Sequence, residues 1–80
     1  MVDVIHEVAA QKFIVRQDGK EAVLAYRLED QQIDFYSTFV PPEFRGQGIA
    51  EKLVRTGIAW AKDQSFHITA SCWYAAKFLK

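Results

Sequence analysis

The 80-residue sequence predicts one α+β domain, residues 1–80, in which helices pack on a mixed β-sheet. Three consecutive stretches alternate apolar and polar residues with short links between them, which is typical of an antiparallel meander. A stretch with helical period follows, then a short strand-like stretch and a second helical one. A strand, a helix and a strand in succession imply one parallel crossover. The expected element order is β-β-β-α-β-α.

The first two predicted strands form a hairpin. Lys12 to Gln17 ends at Asp18-Gly19, a dipeptide that favours the positive φ angles of a type I′ turn. Past this turn, the residues expected on the buried face are Ala22, Leu24, Tyr26 and Leu28. After a polar turn at residues 29–32, the third strand is expected to place Ile33, Phe35, Ser37 and Phe39 on one face, and Asp34, Tyr36, Thr38 and Val40 on the other.

Pro41-Pro42 ends the third strand, because proline lacks the N–H that a strand donates and restricts the residue before it. From about Gly48 to Asp63 the period becomes helical, and the apolar stripe consists of Ile49, Leu53, Val54, Gly57, Trp60 and Ala61. Residues 66–70 are expected to form the fourth strand and residues 73–80 a short helix. Trp60 and Trp73 are both expected in the core.

Composition and charge exclude several classes of function. Half of the residues are hydrophobic, which is typical of a folded chain, and ten basic residues balance ten acidic ones. Without a positive excess, binding to nucleic acid is not expected. No basic segment precedes an apolar one at the start of the chain and no apolar run reaches membrane-spanning length, so neither a signal peptide nor a membrane partner is expected. The single cysteine, Cys72, fits a reducing cytoplasmic compartment and provides no metal set.

The loop from Arg45 to Ala50 carries the strongest chemical signal. It connects a predicted strand to the start of the long helix, where main-chain N–H groups lack internal partners and the helix dipole is positive. Gly46 and Gly48 allow a sharp bend and a close approach of an anion, and Arg45 adds a fixed positive charge. These features predict a cradle for a phosphate or pyrophosphate.

Two other glycine motifs do not fit this loop. The dinucleotide fingerprint needs a third glycine at the position that Glu51 occupies, and it needs a βαβ unit that opens the domain. The P-loop ends in Gly-Lys-Ser or Gly-Lys-Thr, and the sequence has neither. Both motifs are therefore excluded.

The loop resembles the acetyl-CoA-binding motif of the GNAT N-acetyltransferases: Arg or Gln, two residues, Gly, one residue, then Gly or Ala. The wider run FVPPEFRGQGIAEKLV, from Phe39 to Val54, and Cys72 after the next strand are similar to a subgroup of small single-domain acetyltransferases. The likeness extends over about residues 13–79. It implies a minimal GNAT-like acyl-CoA N-acyltransferase fold, with acetyl-CoA between two splayed parallel strands and no metal.

The resemblance also implies roles for individual residues. The expected acetyl-CoA-binding residues are Phe39, Val40, Arg45, Gly46, Gln47, Gly48, Ile49 and Ala50, where main-chain groups of Phe39 and Val40 contact the pantetheine arm. Cys72 is a candidate acetyl carrier, with a buried inert thiol as the alternative. Tyr74 is a candidate acid for the departing CoA thiolate, with simple aromatic packing as the alternative. His67 and His6 are weaker candidates for a base, and Asp34 and Tyr36 for the acceptor side.

Three functions stay open from the sequence. The first is an enzyme that transfers acetyl from acetyl-CoA to an amine of a small molecule or a protein lysine, by direct attack or through Cys72. The second is a non-catalytic acetyl-CoA-binding module or sensor. The third is a protein-interaction domain without a ligand. The sequence does not specify an oligomeric state.

Overall fold

The computed structural model describes residues 3–44, 46 and 48–79, excluding the side chain of Leu79. The described residues form one five-stranded sheet with strands in the order β1-β2-β3-β4-β5. The strands are β1 Ile5–Glu7, β2 Lys12–Gln17, β3 Lys20–Glu29, β4 Gln32–Phe39 and β5 His67–Ala70, and the helices are α1 Ile49–Asp63 and α2 Trp73–Ala76. Short 3-10 turns cover Pro42–Phe44 and Lys77–Leu79. The α+β class and the predicted order are confirmed, with β1 as an additional strand.

The hairpin between β2 and β3 has the predicted turn. Gln17 pairs with Lys20, so the loop contains only Asp18 and Gly19. Their φ angles are 52° and 76°, as a type I′ turn requires. The same antiparallel pairing continues from β3 to β4 through a second two-residue loop, since Glu29 pairs with Gln32.

The core lies between one face of the sheet and α1. Leu24, Tyr26 and Phe35 are at most 1% exposed on the sheet side, and Leu53, Val54 and Ala61 are fully buried on the helix side, as predicted. Gly57 lies where α1 comes closest to the sheet, because a Cβ added there would be 2.9 Å from Leu24 Cδ2. A glycine at this position therefore sets the distance between the two layers.

A bulge in β4 corrects the predicted faces of this strand. Tyr26 pairs with Phe35 whereas Ala25 pairs with Ser37, so β4 has one extra residue, Tyr36, at this point. One extra residue exchanges the faces of everything beyond it. The assignment of Ser37 and Phe39 to the face of Ile33 and Phe35 was therefore wrong. Phe39 is 59% exposed on the outer face, and Thr38, opposite buried Leu24, turns to the face covered by α1.

Strand β5 is the parallel crossover strand. It pairs with β4 from Gln32↔His67 to Phe35↔Ala70, and β4 then continues past the bulge without a partner strand on that side. The two strands therefore open into a gap at their carboxyl ends. Helix α2 begins directly after this gap, and its Ala75 is fully buried against the core.

The two tryptophans have different environments. Trp60 packs against the core and makes ring contacts with Tyr26 and Phe66, as the helical stripe predicted. The prediction that Trp73 lies in the core is wrong, because its side chain is 74% exposed. Trp73 is the first residue of α2 and lies two residues before buried Ala75, roughly 200° around the helix axis, so it points away from the core.

Candidate active site

A cavity opens where β4 and β5 separate, and its volume is about 490 Å³. This volume is within the usual range for small-molecule sites. Its lining comes from the end of β4, the loop before α1, the first turn of α1 and the start of α2. The lining residues are Thr38, Val40, Phe44, Gly46, Gly48, Ile49, Ala50, Glu51, Cys72, Trp73 and Tyr74.

The loop before α1 is held to the core by buried residues. Pro41 is buried, and the Phe44 N–H donates to the Pro41 carbonyl at 2.9 Å. The Phe44 side chain is only 3% exposed. Gly46 and Gly48 then adopt φ angles of 83° and 71°. An added Cβ would meet nothing within 4 Å at either position, so glycine is needed for the backbone angle and not for space.

The amides at the start of α1 border the cavity. Gly48 is the N-cap residue, and the first helical hydrogen bond runs from the Lys52 N–H to the Gly48 carbonyl at 3.0 Å. The N–H groups of residues 49–51 precede this bond and have no acceptor within the helix. Gly48 has no side chain to cap them. The site therefore presents first-turn donors that Gly48 does not cap, and the positive end of a 15-residue helix, to a ligand.

Cys72, which precedes the first residue of α2, also lines the cavity wall. Its main-chain N–H donates to the Phe35 carbonyl at 3.1 Å, which ties the residue two positions past the end of β5 to β4. The Cys72 Sγ lies 3.4 Å from the Thr38 Oγ1, close enough for a hydrogen bond. The cysteine thus stands at the mouth of the gap between the two strands.

The surroundings of Cys72 act on its acidity in opposite directions. Burial raises the pKa of the thiol, whereas hydrogen bonding from the Thr38 hydroxyl and from the main-chain amides of Ala75 and Tyr74 lowers it, and the net pKa is below the usual value. Cys72 is the N-cap residue of α2, and its thiol makes no full capping hydrogen bond there. The amides therefore stabilise mainly the thiolate, the form that is nucleophilic.

Tyr74 lines the same wall. Burial, and secondarily the Glu51 carboxylate, raise the pKa of Tyr74 above its usual value. A phenol with a raised pKa keeps its proton at neutral and mildly alkaline pH. Tyr74 thus has the protonation state that an acid needs.

The sequence also matches a known family model. Residues 12–80 match the model described as GCN5-related N-acetyl-transferase, which is most of the chain. The chain belongs to the GCN5-related N-acetyltransferase family. It is 33% identical to Protein NATD1 of Bos taurus over 99% of this chain and 73% of that protein, and 32% identical to Protein NATD1 of Homo sapiens over the same shares.

A solved structure has the same fold. The NMR solution structure of "a GCN5-like putative N-acetyltransferase from Staphylococcus aureus" superposes with a TM-score of 0.73 at 28% identity. The superposition covers 96% of this chain and 76% of that one. The predicted GNAT-like fold is therefore confirmed.

The fold of this chain brings most of its predicted acetyl-CoA-binding and catalytic residues together. Seven of them line the cavity: Val40, Gly46, Gly48, Ile49, Ala50, Cys72 and Tyr74. Arg45 and Gln47 lie outside the described residues. The Phe39 side chain is on the outer face, so only its main chain remains a candidate for ligand contact. The sequence did not predict that Thr38, Phe44, Glu51 and Trp73 line the cavity. Thr38 could not be predicted because the bulge that turns it inward is not evident from the sequence.

The remaining candidates lie elsewhere. His67 is exposed at the start of β5, three residue pairs before the gap. His6 lies in β1 within an aromatic cluster. On the outer face, Asp34 accepts hydrogen bonds from the hydroxyls of Thr69 and Ser71 at 3.0 and 2.8 Å. None of the cavity-lining residues in the described part of the chain is a histidine, and Glu51 is the carboxylate among them.

Two further observations concern residues 3–44, 46 and 48–79. This part of the chain holds no group of three or more histidine, cysteine or acidic residues that could bind a metal ion. Neither described helix is long and apolar enough to cross a bilayer.

Proposed function

We propose that this chain is an acetyl-CoA-dependent N-acetyltransferase that acts in the cytoplasm on the primary amine of a small molecule or a protein lysine. The observation that carries the proposal is one cavity lined both by the first turn of α1, which Gly48 does not cap, and by Cys72 and Tyr74. Family membership supports acetyl transfer, and the cavity supports acetyl-CoA as the donor.

The helix side of the cavity suits the CoA pyrophosphate. The amides of residues 49–51 and the two bent glycines offer donors to a dianion, and the sequence pattern adds Arg45. The pantetheine arm then follows the gap between β4 and β5 past Val40 toward Cys72. A main-chain N–H at the end of β4 is proposed to stabilise the oxyanion that forms at the acetyl carbonyl.

Cys72 and Tyr74 supply the chemistry in this proposal. The Cys72 thiolate attacks the acetyl carbonyl carbon, a carbon–sulfur bond to Cys72 forms, and the bond to the CoA sulfur breaks. Tyr74 gives its proton to the departing CoA thiolate and recovers one from solvent. A neutral amine then attacks acetyl-Cys72, forms the amide, loses a proton to water and releases the Cys72 thiolate. Direct attack of the amine on acetyl-CoA uses the same cavity without Cys72.

A non-catalytic acetyl-CoA-binding module is the second candidate. The observation that favours it is the cavity lining, because the described lining residues include no histidine and Glu51 lies beside the proposed phosphate subsite. A base for the amine would then have to come from the acceptor or from water.

Titration calorimetry with acetyl-CoA tests both candidates against a domain without a ligand. Saturable binding is expected, and the absence of heat at millimolar acetyl-CoA would contradict the proposal.

Intact-mass analysis after incubation without an amine then tests the covalent route. A hydroxylamine-sensitive acetyl group on the wild type, absent from Cys72→Ala, supports it. Full amine acetylation by Cys72→Ala would leave direct attack, and binding without any transfer would leave the module.

A further inference from the structure

The bulge in β4 places Thr38 on the inner face of the sheet, where regular strand alternation would not place it. Without the extra residue Tyr36, Thr38 would lie on the outer face, because Phe35 faces the core three residues earlier. With it, Thr38 pairs with buried Leu24 and lines the cavity, and its neighbour Ser37 is exposed on the other face.

Main-chain contacts fix both members of the Thr38–Cys72 pair. Thr38 is held by the β3–β4 pairing, and Cys72 by its 3.1 Å hydrogen bond to the Phe35 carbonyl. The Ala76 N–H also donates to the Cys72 carbonyl at 3.0 Å, which ties the cysteine to the start of α2. The backbone therefore places the two residues side by side, and in their rotamers the hydroxyl and the sulfur lie 3.4 Å apart.

The chemistry of this pair depends on the charge of the sulfur. With a neutral thiol either atom can donate the hydrogen bond, whereas with a thiolate only the Thr38 hydroxyl can. A hydroxyl donating to an anion makes a stronger hydrogen bond than one between neutral groups. Thr38 therefore stabilises the reactive form of Cys72 selectively and fixes where its sulfur lies in the cavity.

We propose that Thr38 is a positioning residue for acyl transfer, which holds the Cys72 sulfur as a thiolate at the mouth of the strand gap. This inference rests on the proposed function, in which Cys72 receives the acetyl group. It assigns a role to the bulge, which turns the Thr38 hydroxyl toward the cysteine where regular alternation would place Thr38 on the outer face.

Alkylation of Cys72 by iodoacetamide at several pH values tests the role without acetyl-CoA. Thr38→Val removes the hydroxyl at nearly constant shape, and we expect its alkylation near pH 7 to be roughly three- to tenfold slower, because a hydrogen bond to a charged group is lost. The curve should move to higher pH with a similar plateau. Thr38→Ser should restore the wild-type curve, and Ser37→Ala, at the exposed neighbour, should leave it unchanged.

Circular dichroism checks that each variant is folded, and Thr38→Ala replaces Thr38→Val should the latter not fold. An unchanged curve for the folded variant lacking the hydroxyl, or no rescue by Thr38→Ser, would overturn the role of Thr38. The outcome is separable from the proposed function. A shifted alkylation curve with no acetyl-Cys72 would reject the covalent route alone, and acetyl-Cys72 formed equally fast by Thr38→Val would reject the positioning role alone.

Discussion

The Nε2 of His6 lies 2.7 Å from the Tyr26 hydroxyl oxygen, a hydrogen bond that ties edge strand β1 to the centre of the sheet. The His6 ring also stacks on Phe13, with the two ring centroids 4.0 Å apart, and meets the Trp60 ring edge-on. A neutral imidazole suits this apolar cluster better than an imidazolium does. Burial accordingly lowers the pKa of His6 below its usual value of 6.5.

This contact predicts a loss of stability in mild acid. The unfolded chain binds a proton at His6 more readily than the folded chain does, so stability falls as the pH drops from above 6.5 through the lower folded-state pKa. The melting temperature should fall more between pH 8 and pH 5 in the wild type than in His6→Gln, which keeps a hydrogen-bonding group toward Tyr26. Parallel curves for the two proteins would show that His6 does not titrate with folding.

The fold could be predicted wherever periodicity was decisive. The hairpin at Asp18-Gly19 and the buried stripe of α1 follow directly from turn chemistry and a 3.6-residue period. Strand β1 is three residues long, too short for alternation to show, so the place of His6 in the sheet could not be inferred.

The bulge could not be predicted for a different reason. Ser37 and Thr38 are both polar, and Phe39 and Val40 are both apolar, so the residues 37–40 fit either face equally well. Only the pairing with β3 decides between the two registers. The glycine loop of the site was evident from its residue types, whereas the residue facing Cys72 depended on this register.

Gly57 predicts an asymmetry between two positions of α1. A side chain at Gly57 would meet Leu24 Cδ2 at 2.9 Å and Phe35 Cε1 at 3.0 Å, and both residues are fully buried. Gly57→Val should therefore lower the free energy of unfolding by roughly 2–3 kcal/mol through overpacking. The same residue introduced at exposed Ala59 should cost only about 0.5 kcal/mol through helix propensity. Urea unfolding of both variants gives the comparison, and equal midpoints would contradict the close approach of α1.

Gly48 predicts a loss of CoA binding that is separable from a loss of stability. Its φ of 71° is costly for any residue with a Cβ, by about 1–2 kcal/mol. Gly19 has a similar φ of 76° in the distant β2–β3 turn, so Gly19→Ala is a matched control. Both variants should melt at similarly reduced temperatures.

Only Gly48→Ala should weaken CoA binding, by roughly tenfold in titration calorimetry, because a strained N-cap displaces the amides of residues 49–51. Equal affinities for Gly48→Ala and Gly19→Ala would place the pyrophosphate elsewhere.

Tyr74 predicts a pH-dependent defect in acetyl transfer. Its pKa is raised by burial and by Glu51, so its proton stays available at neutral pH and the alkaline limit of activity lies above the pKa of an ordinary tyrosine. Tyr74→Phe keeps the ring but loses this proton, and kcat should fall by roughly 100-fold or more with little change in acetyl-CoA affinity.

Tyr36→Phe, on the outer face and 48% exposed, is the matched control and should retain full activity. Replacing Glu51 with glutamine removes one of the two causes of the raised pKa, so the alkaline limb of the kcat profile should move to lower pH. If Tyr74→Phe turns over at the wild-type rate, water protonates the CoA thiolate and the tyrosine only shapes the cavity wall.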